Sequence, residues 1–204
     1  MVKKVLLLAV LALALPLAAF ASSGVDVTNF GGTVTGSNAG LSLTGSNIIM
    51  VNGLYGGGQD LGSNLGSFTF STGALTSGSL QMGGTFAAGG SFMIMGNGTN
   101  GVPNGVIFSG TFSGPVSWTM VTLCNGTHQY TLFGAVSGSL GNGYATVGAT
   151  TQLVVTTGKG YFSGSANLSS GPTNIVVPEP GTLSLFGTGL IGLAGVIRRK
   201  LSLA

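Results

Sequence analysis

An all-β body, an antiparallel β-sandwich or jelly roll, is the fold class that the sequence predicts for residues 22–176. Three observations point there. Gly, Asn and Ser recur as turn punctuation, the short runs between them alternate apolar residues with Ser or Thr, and no useful helical period appears. The chain of 204 residues holds 39 glycines, which supply turns and weaken helices.

The expected strands, in order, are 67–71, 106–108, 116–123, 129–133, 152–156 and 161–163. Ser67-Phe68-Thr69-Phe70-Ser71 shows the pattern best, with two rings on one face and hydroxyls on the other. Phe-Ser-Gly recurs at 108–110, 112–114 and 162–164, but the unequal spacing argues against a solenoid, which needs a fixed period. Asn125-Gly126 reads as a two-residue hairpin turn with φ > 0 at both positions. That turn sets an expected register: Cys124 faces Thr127, Leu123 faces His128, Val121 faces Tyr130 and Trp118 faces Phe133. Cys124 then shares a face with Trp118, Met120 and Phe133, while His128 lies on the other with Val121, Tyr130 and Leu132.

The composition limits the chemistry. The chain has three carboxylates, one histidine and one cysteine, too few to assemble most acid/base pairs, triads or metal cages. No cofactor, no metal and no enzymatic activity are expected. Cys124 and His128, four apart around Asn125, have the residue types of a cysteine nucleophile, but the expected register points them apart. Cys124, as the only cysteine, has no internal disulfide partner. It is expected to be buried, with a bridge to another chain as the alternative. Asp26 and Asp60 are the only carboxylates of the body, and 34 residues separate them. Asn97, Asn125 and Asn167 each open an N-glycosylation pattern but read as turn residues, and Gly56-Gly57-Gly58 lacks the Lys and helix context of a phosphate loop.

Most charge sits at the two ends. Residues 1–21 begin with Lys3 and Lys4, continue through the apolar run Val5 to Leu15, and close on Ala19-Phe20-Ala21. Basic start, short apolar core and small residues at the last and third-last positions make a signal peptide, expected to be cut by signal peptidase after Ala21. Residues 177–204 form a second device. Pro178-Glu179-Pro180 precedes an uncharged run from Thr182 to Ile197, and Arg198, Arg199 and Lys200 follow it. As a helix, 182–197 would cover about 24 Å of a hydrocarbon core about 30 Å thick, enough to cross if the arginines snorkel. The cations mark the cytoplasmic side as a stop-transfer signal. Ser184, Thr188 and Gly192 recur every four residues along it, as small residues do where helices approach closely, though glycine is common in membrane segments generally.

Tripeptide, short Gly/Leu-rich span and basic cluster in this order resemble the PEP-CTERM sorting signal of bacterial exported proteins. The resemblance covers only about the last 28 residues. It implies recognition by exosortase, a membrane protease-transpeptidase that cuts near the Pro-Glu-Pro element, with Pro178, Glu179 and Pro180 as substrate residues. It also implies transient anchoring in the inner membrane by the C-terminal helix, then delivery to the cell surface or extracellular polymer. It says nothing of what the body does.

Within the body only Asp26, Asp60 and Lys159 are charged, a net charge near −1. The sequence pI of about 9.3 therefore belongs to the two signals, and no nucleic-acid partner is implied. Two roles remain for an uncharged, hydroxyl-rich body. One is a non-catalytic structural or adhesive component of the cell surface, extracellular matrix or biofilm. The other is a module that binds extracellular polysaccharide through an aromatic platform, with Trp118 the first candidate and Tyr55, Tyr130, Tyr144 and Tyr161 behind it. A self-assembling filament subunit is a further reading, because low charge and open sheet edges favour association.

Overall fold

Among the described residues, twelve antiparallel strands carry the body. The computed structural model describes residues 22–143 and 148–178. The strands are β1 (Ser22–Phe30), β2 (Thr33–Ser37), β3 (Gly40–Asn52), β4 (Gln59–Ser71), β5 (Leu75–Ser79), β6 (Gly83–Phe86), β7 (Gly89–Asn97), β8 (Asn104–Phe112), β9 (Val116–Thr122), β10 (His128–Leu140), β11 (Gly148–Thr156) and β12 (Ser165–Pro178). A 3-10 turn, Leu54–Gly56, joins β3 to β4.

The all-β, antiparallel expectation holds, and the pairings add that the strands form one continuous sheet. β3 pairs with β4, β4 with β7, β7 with β8 and β8 with β10. The circuit continues from β10 to β11, β12, β2 and back to β3, so eight strands form a closed ring. β1 lies between β12 and β3 beside β2. The N-terminal half of β10 carries β9, and β6 and β5 extend outward from it as a tongue.

Closure decides which residues are buried. Leu41, Leu43 and Ile48 on β3, Leu65, Phe68 and Phe70 on β4, Phe92 and Ile94 on β7, and Phe108 and Phe112 on β8 all point inward. Their rings meet edge to face: Phe68 and Phe92 lie 5.0 Å apart at 88°, and Phe92 and Phe112 lie 5.8 Å apart at 89°, the geometry that aromatic quadrupoles favour. Outward positions on the same strands are mostly Ser, Thr, Asn and Gly, with Leu61, Met93, Met95 and Val106 also exposed. One register row, Ser165–Thr35–Ser42–Ser71–Ser91, runs through five neighbouring strands. Its hydroxyls bond one another, at 2.8 Å for Thr35–Ser42 and 2.9 Å for Ser71–Ser91. The surface therefore satisfies much of its own polarity without ions.

A second cluster seats the tongue. Trp118 and Tyr130 stack 5.0 Å apart, 19° from parallel, and Phe162 meets Trp118 edge-on at 5.4 Å. Trp118 Nε1 donates to the Leu80 carbonyl at 2.9 Å, and the Tyr130 hydroxyl donates to the Gln81 carbonyl at 2.7 Å. The turn after β5 is thereby fastened to β9 and β10.

Two local expectations are corrected. Residues 161–163 are not a strand but part of the loop before β12, in which Phe162 is buried by this cluster. The β9–β10 hairpin is also one residue out of the expected register: Thr122 faces His128, Met120 faces Tyr130 and Trp118 faces Leu132. A two-residue type I′ turn needs positive φ at both central residues, and here only Gly126 (φ 80) has it. Leu123 N–H donates instead to the Thr127 carbonyl at 2.8 Å, leaving a three-residue loop. That slip exchanges the faces on β10: His128, Tyr130 and Leu132 join Trp118 inside, and Phe133 points out.

Candidate functional site

Of the residues that sequence reasoning singled out, Trp118 stacks on Tyr130 and His128 on Tyr161, but neither pair makes the expected glycan platform or nucleophile. Trp118, the first candidate for glycan contact, is 1% exposed and belongs to the core, so its ring offers no platform. Tyr130 is buried too, while Tyr55 and Tyr161 are exposed on separate loops and Tyr144 lies outside the described residues. Cys124 is exposed at the hairpin tip, correcting the expectation of a buried thiol. The one-residue slip causes this by lifting residue 124 out of the ladder into the loop.

His128 is nearly buried, with its ring stacked 4.4 Å from that of Tyr161 and its Nδ1 3.0 Å from the Thr122 hydroxyl. No hydrogen bond joins it to Cys124 among the described residues. Folding brings Asp26 and Asp60 two strands apart, opposite Asn52 and Val51 of β3. Asp26 accepts a hydrogen bond from Asn174, whereas Asp60 lies under Gly101, where an added Cβ would meet its carboxylate at 2.7 Å. Among the described residues, no three His, Cys, Asp or Glu side chains group as metal ligands.

What the fold assembles instead is a groove that sequence reasoning missed. It crosses β3, β4, β7 and β8 on the outer face, holds about 310 Å³, and is lined by Asn47, Asn64, Ser67, Met95, Asn97 and Asn104 with Gly66 and Gly96. Register brings them together: Asn47 faces Ser67, Ser67 faces Met95, and Asn97 faces Asn104. Three ladder irregularities, after Leu43, Ile48 and Ile94, lie around it. Bulges of this kind bend strands and re-aim side chains.

One wall is fixed by its own bonds. Asn97 Nδ2 donates to the Asn64 carbonyl at 2.9 Å, and Asn97 Oδ1 accepts from the Thr99 hydroxyl at 2.6 Å and the Thr99 amide at 3.2 Å. Asn47 and Asn104 are exposed, and their side chains make no hydrogen bond among the described residues. Their signal was four asparagines, at 47, 64, 97 and 104, 7 to 57 positions apart, which strand pairing unites.

The sorting element adjoins the last strand. β12 ends at Pro178, and its last pair with β11 joins Val176 to Gly148. Residues 176–200 match the PEP-CTERM protein-sorting motif. The PEP-CTERM motif marks the chain as an exported protein that exosortase processes and sorts to the cell surface. No curated protein and no solved structure matches the chain. Ala19, Ala21, Glu179, Pro180, Arg198, Arg199, Lys200 and the expected helix 182–197 lie outside the described residues. Among the described residues, no helix is long and apolar enough to cross a membrane.

Proposed function

We propose that the β body of this exosortase-sorted protein is a non-catalytic structural or adhesive component of the cell surface or its extracellular matrix. The supporting observation is a closed sheet whose outward face is almost free of charge. Asp26, Asp60 and Lys159 are the only charged residues between the two expected signals. Such a face gives little electrostatic attraction or repulsion toward charged partners and does not depend on salt. Hydroxyl and amide side chains can still bond to neutral polymer. Ring closure removes most sheet edges, which suits a protein packed at high local concentration.

Among the described residues an edge remains at β5, which pairs only with β6 and carries a bulge between Leu75 and Ser77. Irregular, short edges of this kind resist strand addition, which favours a packed matrix component over a cross-β filament. A strain lacking the protein is expected to lose cohesion in biofilm shear and surface-attachment assays, with recovery on complementation. Unchanged cohesion and attachment in that strain would refute the role. Replacing Pro178-Glu179-Pro180 with alanines in the complementing copy should leave unprocessed protein in the membrane fraction and prevent recovery.

A further inference from the structure

The asparagine groove on β3, β4, β7 and β8 gathers unspent hydrogen-bonding capacity in one place. In the neighbouring row Ser165–Thr35–Ser42–Ser71–Ser91, hydroxyls pair with one another. In the groove, Asn97 is held by Asn64 and Thr99, while the amides of Asn47 and Asn104 face solvent unpaired among the described residues. We propose that this groove binds a neutral polysaccharide chain, which would give the adhesive reading above its ligand and rests on that reading for its biological setting.

Four properties of the groove select that chemistry. An amide both donates and accepts, as a sugar hydroxyl does, so an Asn side chain can bond a hydroxyl in either sense. No charged residue lines the groove, so an anionic or cationic ligand would find no opposite charge there. Met95 in the groove is 38% exposed, and Phe30, opposite Asn47 in the ladder, is 58% exposed. Both offer apolar surface to the C–H face of a sugar ring. The groove is open along its length and spans three inter-strand steps, about 14 Å, which lets a polymer lie across it without needing a chain end. The locked Asn97–Thr99–Asn64 wall lowers the ordering cost of binding.

The test is affinity electrophoresis of the full chain, solubilised in detergent, through native gels containing hydroxyethylcellulose, dextran, alginate or no polymer. Retardation by at least one neutral glucan is expected, with none by alginate. Asn47→Ala/Asn104→Ala should weaken that retardation about tenfold or more, because two amide–hydroxyl bonds are lost. Gln152→Ala on the outer face of β11 should leave it unchanged. Thermal melts of all three proteins should coincide, since the altered side chains are exposed.

No retardation by either glucan, retardation by alginate alone, or equal retardation of the Asn47→Ala/Asn104→Ala protein would overturn the proposal. The structural role is judged separately, by cohesion of the deletion strain. Lost cohesion with no glucan binding would refute the groove and keep the role, and binding without any change in cohesion would do the reverse.

Discussion

Removing one oxygen atom, by Tyr130→Phe, should loosen the tongue while leaving the aromatic cluster in place. The Tyr130 hydroxyl donates to the Gln81 carbonyl at 2.7 Å and accepts from the Phe162 amide at 3.0 Å. It therefore ties the turn after β5 to the loop before β12. Phenylalanine fits the same space against Trp118, so packing is kept and only the two bonds are lost. Two bonds contribute about 0.5–1.5 kcal/mol each, and the Phe162 amide, left buried without an acceptor, raises the total loss to about 2–4 kcal/mol. For a domain of this size that is a fall in Tm of about 5–15 °C. Thermal and urea denaturation followed by far-UV and near-UV circular dichroism would measure it. Tyr161→Phe, at a half-exposed ring outside this network, is the matched control and should melt with the wild type. If Tyr130→Phe melts within about 1 °C of wild type, the hydroxyl is not a structural tie and the account of how the tongue is held fails.

Three further perturbations test other parts of the fold. Thr151 and Thr173 are buried and share one hydroxyl bond of 2.9 Å between β11 and β12; each single change to Val should cost about 1–3 kcal/mol by orphaning its partner, whereas the double change should be close to neutral in urea melts. Gly66→Ala would drive a Cβ into the Met95 carbonyl at a residue with φ +155, so a loss of about 2–3 kcal/mol in the same melts is expected. Cys124, exposed at the hairpin tip, should react fully with a maleimide in the native state, and material recovered from the cell surface should show any dimer on non-reducing gels vanish in Cys124→Ser without a change in Tm.

Alternation made the strands legible, and closure hid the rest. Ser67–Ser71 lies within β4 because its two-residue period matches a sheet with one buried face. The short apolar runs in Val106–Phe108 and Gln152–Thr156 lie within β8 and β11, Ile107 and Phe108 both being buried beside a ladder irregularity. β3, β4 and β10 each run 13 residues. Their length was not visible because glycines such as Gly45 and Gly66 break the apolar pattern where the ladder is irregular. The Asn125-Gly126 register failed on one torsion: Asn125 keeps negative φ, which a dipeptide signal does not reveal. Trp118 illustrates a limit of composition, since an aromatic on a strand reads the same whether its face turns toward solvent or inward. The sorting motif, by contrast, is local in sequence and needs no folding to be read.

The strand that leads into the motif is also the one that locks the sheet, flanked by β11 on one side and by β1 and β2 on the other. A body held to a cell by its C-terminal end would feel hydrodynamic drag along the axis of that strand. Load in this direction strains the flanking hydrogen bonds together instead of opening them one at a time, so mechanical endurance under flow would come from connectivity rather than from thermodynamic stability.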